Sequence, residues 1–237
     1  SIRRRQRQMC IRDSYNKMTI DNLNNNNVNT DYIQTVEGSS GVAPIWVDKT
    51  GQNRIIVIPG ANNLINADVA LDSLSNIGSL DVLVGQFEIP LEVNEKVFEY
   101  ANKKGVQTVL NPAPAGAISE NLLHNTSWFI PNEVEFEEML GEPFDENALL
   151  KYSKEVKPEI IVTLGEKGCA EVSDERVVIH QPKKVTAIDT TGAGDAFVGS
   201  FSYGLANKMS KQDSIKLALE KATNSVTKKG TQSSYKD

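Results

Sequence analysis

From residue 80 onward, short apolar runs alternate with segments whose apolar positions recur at helical spacing. Residues 80–84 form a run of strand length. Val93, Val97, Phe98 and Ala101 then fall three and four apart, the stripe of an amphipathic helix, and Gly105 stands where a left-handed glycine ends one. The alternation repeats: strands are predicted at 106–110, 128–130 and 160–164, with a helix ending near Gly141 and another over 146–155. Residues 169–172 and 177–179 predict a hairpin turning through 173–176. Two helices close the pattern, over 194–206 and 211–227. Upstream, the Asn-rich stretch 22–29 reads as a helix end and turn. Two β-rich runs, 42–47 and 54–58, flank Asp48-Lys49-Thr50-Gly51, a second hairpin signal closed by Pro59-Gly60. Strands alternating with helices predict an α/β fold: a three-layer, mostly parallel, Rossmann-like sheet with helices on both faces. The hairpin at 42–58 is set apart from that sheet as a small β lid.

Composition narrows the function classes. A chain of 237 residues suits one α/β domain. The formal net charge of −6 argues against a nucleic-acid partner, which calls for a basic face. The sequence offers no apolar run long enough to span a membrane. Cys10 and Cys169 form no C-x-x-C pair, which fits a reducing compartment, the cytoplasm with or without the nucleus. The first twelve residues differ from the rest, with Arg3, Arg4, Arg5, Arg7 and Arg12 and no acid. Without them, 20 basic residues face 31 acidic ones, a charge of −11. They are expected to be a non-native leader, with residues 13–237 forming a partial domain.

The segment richest in chemistry is Asp189-Thr190-Thr191-Gly192-Ala193-Gly194-Asp195, at the start of a predicted helix. Glycines there let the N–H groups of Gly192, Ala193, Gly194 and Asp195 converge, and the positive helix end reinforces them as an anion hole. Asp195 beside it is poorly suited to bind phosphate and well suited to take a proton from an attacking hydroxyl. Read alone, the segment is equally a glycine-rich turn whose acid supports the helix dipole. Pro131-Asn132-x-x-Glu135 reads as a capping box. Thr163, Leu164, Gly165, Glu166, Lys167 and Gly168 end a buried strand and lead into a turn. Glu88 is an acid near a helix start. His124 and His180 lack partners at ligand or triad spacing, and Cys169 reads as a small buried hydrophobe.

The seven-residue string with Ala196-Phe197 closely resembles the signature of the ribokinase family, the PfkB carbohydrate kinases. Asn111-Pro112-Ala113-Pro114, Pro131 to Glu135, Thr163 to Gly168 and Gly230-Thr231-Gln232-Ser233-Ser234-Tyr235 resemble further family segments, in family order. With Pro59-Gly60-Ala61-Asn62 they are similar to the eukaryotic ribose-kinase branch more than to fructokinases or adenosine kinases. The resemblance implies a ribokinase-like fold and transfer of the ATP γ-phosphoryl group to the primary hydroxyl of ribose, with Asp195 as base. It implies that Asn132 faces the phosphates and that Glu135 meets the Mg²⁺ hydration shell. Thr163 to Gly168 would line the ATP, and Glu88 would bind sugar hydroxyls. Asp189, Thr191, Ser225, Lys228, Gly230 and Ser234 match positions around a monovalent cation, usually K⁺. Relatives pair through the small sheet, which implies a homodimer.

The chain departs from the pattern at its front. The family's opening strand with Asn and Asp sugar ligands, and its Gly-Gly-Lys-Gly-Ala-Asn segment, have no counterpart. The chain taken alone is therefore expected to be inactive or poorly folded. Leu219 stands eleven residues before Gly230, where relatives often carry Asn or His, which questions the adenine contact. A kinase of another sugar or a nucleoside, and a non-catalytic nucleotide-binding chain, remain alternatives.

Overall fold

The computed structural model describes residues 4–5, 10–11, 14–33, 35–47 and 53–235. Its backbone divides into two compact units, residues 1–77 with 88–97, and residues 78–87 with 98–237.

The first unit is built from short pieces. Strand β1 (Arg4–Arg5) pairs in parallel with β3 (Val28–Asn29), and β2 (Cys10–Ile11) with β4 (Thr35–Val36). Helix α1 (Ser14–Asn25) lies between β2 and β3. The rest of the opening twelve residues lies outside the described residues, as does the expected turn at Asp48–Gly51. Strands β5 (Ile45–Val47) and β6 (Asn53–Ile55) pair antiparallel, extended by a reciprocal Val42–Ile58 bridge with both N···O distances 2.9 Å. This is the hairpin that the alternation at 42–58 predicts. A 3-10 turn over Gly60–Leu64 buries Ala61 against Val36 and Ile65. Helix α2 (Ala67–Ser75) follows, its first turn capped by the Asn66 carboxamide on the N–H groups of Asp68 and Val69.

The second unit is a six-stranded sheet in the order β12-β11-β10-β9-β8-β7. Strands β7 (Val82–Gln86), β8 (Gln107–Asn111), β9 (Trp128–Phe129) and β10 (Glu159–Thr163) are parallel. Strands β11 (Cys169–Ser173) and β12 (Arg176–His180) add an antiparallel hairpin at one side. Its turn places Asp174 and Glu175 at φ of 49° and 59°, the left-handed geometry of a tight two-residue loop. Helix α3 (Leu91–Lys103) connects β7 to β8, α4 (Glu120–His124) precedes β9, and α5 (Glu133–Leu140) and α6 (Glu146–Glu155) precede β10. Helices α7 (Ala193–Ala206) and α8 (Lys211–Ser225) end the chain.

Parallel strands covered on both faces must be apolar on both. On one face Val109, Trp128, Ile161 and Cys169 pack against Phe197, Val198, Phe201 and Leu205 of α7 and Ile215 and Ala218 of α8. Trp128 meets Phe201 edge-on at 5.0 Å between centroids. On the other face Leu110, Phe129, Ile160, Val162 and Ala170 are equally buried. The two closing helices touch so closely at Gly204 that a Cβ there would stand 2.8 Å from the Ser214 Cβ, so only glycine fits.

Two residues behave as their chemistry demands rather than as isolated letters. Cys169 is a buried free thiol, pushed up to about 12 by burial and by the charge of Glu171. His180, expected to stand alone, sits across the hairpin with Nε2 2.9 Å from Oε1 of the buried Glu171. Lys211, at the start of α8, reaches the other oxygen of Glu171 at 2.6 Å and Glu159 at 3.0 Å. Burial works against its ammonium, but the two carboxylates outweigh it and hold the Lys211 pKa above its ordinary value.

Candidate active site

The carboxyl ends of β7 to β10 form one rim, the place where open α/β sheets bind ligands. Polar side chains gather there. Asn111, at the end of β8, is buried and donates from Nδ2 to the Ile130 carbonyl at 2.9 Å. Gln86, at the end of β7, donates from Nε2 to Asn111 Oδ1 at 2.8 Å and to Asp195 Oδ1 at 3.3 Å. Beyond β9, Asn132 caps α5. Its side chain accepts from the Glu135 N–H at 2.8 Å, and the Glu135 carboxylate accepts from the Asn132 N–H at 2.9 Å. The expected capping box is therefore formed. A bridge joins Asn132 to Thr163 at the end of β10, where the Thr163 N–H donates to the Pro131 carbonyl at 2.9 Å.

Helix α7 starts differently. Its N-cap is Gly192, left-handed at φ 80°, and no side chain caps the first turn. The first N–H groups of a helix have no partner within it. Here the Ala193 N–H is turned to the Thr190 carbonyl at 3.2 Å, so the hole is narrower than the glycine pattern predicts. Gly194 and Asp195, both exposed, remain at the open mouth.

A collar from the end of the chain fixes this turn. The Asp189 carboxylate accepts from the Thr191 N–H at 3.0 Å and the Gly230 N–H at 2.9 Å. Hydrogen bonds from Thr191, side chain first and then backbone, and from the Gly230 backbone hold its carboxyl below the usual range. The N–H groups of Ile188 and Asp189 both donate to the Val226 carbonyl. Tyr235 donates its hydroxyl to the Gly192 carbonyl at 2.9 Å. Burial, then the charge of Asp195, pushes this phenol up to about 12, so it stays a donor across the neutral range. A Cβ on Gly192 would run into that hydroxyl and lie 3.1 Å from Thr231 Cγ2.

Of the six residues expected around a cation, Asp189, Thr191 and Gly230 meet directly. Ser225 and Ser234 are buried, with their hydroxyls donated to the carbonyls of Ala222 and Thr231, and the Lys228 N–H donates to the Ser225 carbonyl. Glu135 is buried too. Burial first, with the charges of Glu138 and Asp195, raises its carboxyl against the pull of the Asn132 hydrogen bond. Among the described residues, no cluster of three or more His, Cys, Asp or Glu side chains could hold a metal unaided.

The loop Leu164–Gly168 follows β10. The Leu164 N–H donates to the Gly168 carbonyl at 2.8 Å, and Lys167 pairs with Glu133 at 3.4 Å, tying the loop to the start of α5. Glu166 is exposed within it. Leu219 is half-buried against the α7–α8 core. Glu88 falls in the first unit, on the turn after β7. The pattern missed Gln86 and Asn111 as site residues. Their signal was a polar side chain closing an otherwise apolar parallel strand, which a buried sheet admits only with a partner.

An open helix mouth thus stands beside a carboxylate on the carboxyl rim of a six-stranded α/β sheet. The chain belongs to the pfkB family of carbohydrate kinases, whose pattern it matches over residues 12–237. It is thus a member of a family of ATP-dependent sugar kinases. It is 35% identical over 230 residues to a deoxyribokinase of Salmonella typhi, covering 94% of this chain and 75% of that one. A ribokinase from Thermotoga maritima superposes with a TM-score of 0.85 at 32% identity, over 97% of this chain and 77% of the other. An Arabidopsis thaliana ribokinase complexed with ribose and ATP superposes at 0.84 and 27% identity, over 96% and 78%.

Proposed function

We propose that this protein transfers the γ-phosphoryl group of ATP to the primary hydroxyl of ribose. The observation that carries the reading is the uncapped first turn of α7, with Asp195 in it. Asp195 accepts the hydroxyl proton as the sugar oxygen bonds to the γ-phosphorus. The bond from that phosphorus to the β–γ bridging oxygen breaks, and ADP departs. The N–H groups at the mouth of α7 stabilise charge on the transferring group, the main electrostatic contribution in such reactions. Mg²⁺ bound with ATP supplies charge neutralisation across the phosphates. Glu135, one of whose oxygens accepts from the Asn132 N–H, would hold the hydrated ion, and Asn132 would face the phosphates. The loop Thr163–Gly168 lines the nucleotide, and Glu88 takes sugar hydroxyls. Asp189, Thr191, Ser225, Lys228, Gly230 and Ser234 would hold a monovalent cation such as K⁺, which would supply positive potential to the turn before α7. Pairing of two copies through the 42–58 hairpin is supported by the exposed side chains of Ile56, Val57 and Ile58.

A second reading, deoxyribose as the acceptor, is favoured by the similarity to the Salmonella deoxyribokinase. ADP release measured with ribose, 2-deoxyribose, fructose and adenosine at fixed Mg·ATP separates the readings. The expected order has ribose first. A preference for 2-deoxyribose selects the second reading, and adenosine as the best acceptor overturns both.

A further inference from the structure

We propose that Gln86 is a positioning residue, which holds the Asp195 carboxylate in register through an amide relay anchored on the Ile130 carbonyl. The argument follows from donor and acceptor chemistry. A backbone carbonyl can only accept, so Asn111 must turn its Nδ2 toward Ile130, at 2.9 Å. That leaves Asn111 Oδ1 facing Gln86, at 2.8 Å. A carbonyl oxygen there requires Gln86 to present its amide nitrogen. The nitrogen carries two hydrogens, and the second points to Asp195 Oδ1 at 3.3 Å.

Each side chain in this row has its orientation set by the one before it. The anchor is stiff, because Ile130 is 1% exposed and Asn111 8% exposed. An ionised carboxylate is acceptor-only, so the relay offers Asp195 the partner that suits its ionised, proton-taking form. It also restrains the free rotation that an exposed side chain in a first helical turn would otherwise have. Misplacement of a reacting group by a fraction of an ångström to an ångström is costly in rate, whereas substrate affinity need not change. Among the described residues, the other titratable groups that sense Asp195 are Glu135, on the first turn of α5, and Tyr235, in the collar. Neither donates to it in this arrangement, so Gln86 supplies the orienting contact.

The inference rests on the reading of Asp195 as the base, and a double-mutant cycle keeps the two apart. Gln86→Met preserves length and removes the donor. It is expected to lower kcat about tenfold while KM for ATP and for ribose stays within about twofold, as loss of orientation without loss of binding predicts. In an Asp195→Ala background the same change is expected to have no further effect. Near-parental turnover by Asp195→Ala alone would remove the base reading. A tenfold loss from Gln86→Met that persists in the Asp195→Ala background would overturn the relay and leave the base intact. So would a rise in KM with kcat unchanged. Should Gln86→Met melt early, NMR of the Gln86 side-chain amide in the parent fold gives the answer without turnover. Of its two Nε2 protons, one is expected to shift upfield in Asp195→Ala while the one bonded to Asn111 stays. If neither proton moves, the contact to Asp195 is absent and the proposal falls.

Discussion

Helices α5 and α7 both begin at the carboxyl rim of the sheet, yet they treat their first turns in opposite ways. Helix α5 satisfies itself, with Asn132 and Glu135 closing a reciprocal box. Helix α7 begins at a left-handed glycine and takes no side-chain cap. A cap stabilises a helix end by about 1 kcal/mol, so leaving one out is a local loss. The difference teaches what a cap decides: α5 has its first turn closed by its own side chains, while α7 leaves N–H groups of the kind an anion can complete. It also shows two uses of acids. Glu135 points back at its own helix, while Asp195 stands outward at the mouth.

The largest effect expected in breaking this contrast is at Gly192. Alanine there must hold a left-handed φ of 80° and push against Tyr235 and Thr231. We expect a stability loss of about 2 kcal/mol, seen as a lower melting midpoint, and a nucleotide-induced rise in that midpoint that shrinks or vanishes. An unchanged response to ATP would mean the turn does not shape the anion site. Asn132→Ala removes the cap on the other helix, at a cost of about 1 kcal/mol in denaturant unfolding. KM for ATP is expected to rise with it, because this residue is read as facing phosphate as well as capping. The smallest effect, and the sharpest, is Glu135→Gln. Glutamine keeps the box, so the cap survives. Burial raises the Glu135 carboxyl in the folded state, so the folded protein holds that proton more tightly than the unfolded chain. The stability this gives is present below the ordinary carboxylate range and is lost as pH rises through the raised value. Melting curves of parent and variant should therefore lie close at low pH and separate in favour of glutamine towards neutrality. Separation in the opposite sense would show that the ionised carboxylate is the favoured buried form.

Much of this was legible because the pattern and the packing agree. Helix α6 falls on the predicted 146–155, capped by Asp145 and buried through Ala148 and Leu149. Helix α2 escaped notice because its buried face is Ala67, Ala70 and Ser73, small side chains that leave no strong apolar stripe. Strand β7 begins and ends two residues later than its apolar run suggests. Gln86 belongs to the strand because its backbone pairs in register with Asn111, and its amide finds partners on β8 and α7 that no local pattern can show. The glycine string predicts converging N–H groups over 192–195, but only the fold reveals that the Ala193 N–H is taken by the Thr190 carbonyl. The collar was legible only through the family resemblance, which grouped Asp189, Thr191 and Gly230, and not through any local pattern. Its contacts from Asp189 to Gly230 and from Gly192 to Tyr235 join residues more than forty positions apart.

Helix α7 also carries the densest apolar load near the site, with Phe197, Val198, Phe201 and Leu205 sunk into the core below its polar mouth. Chemistry and cohesion thus share one rigid rod. A selection for heat tolerance and a selection for altered acceptor use would compete for the same positions, because repacking the buried end tilts the open one.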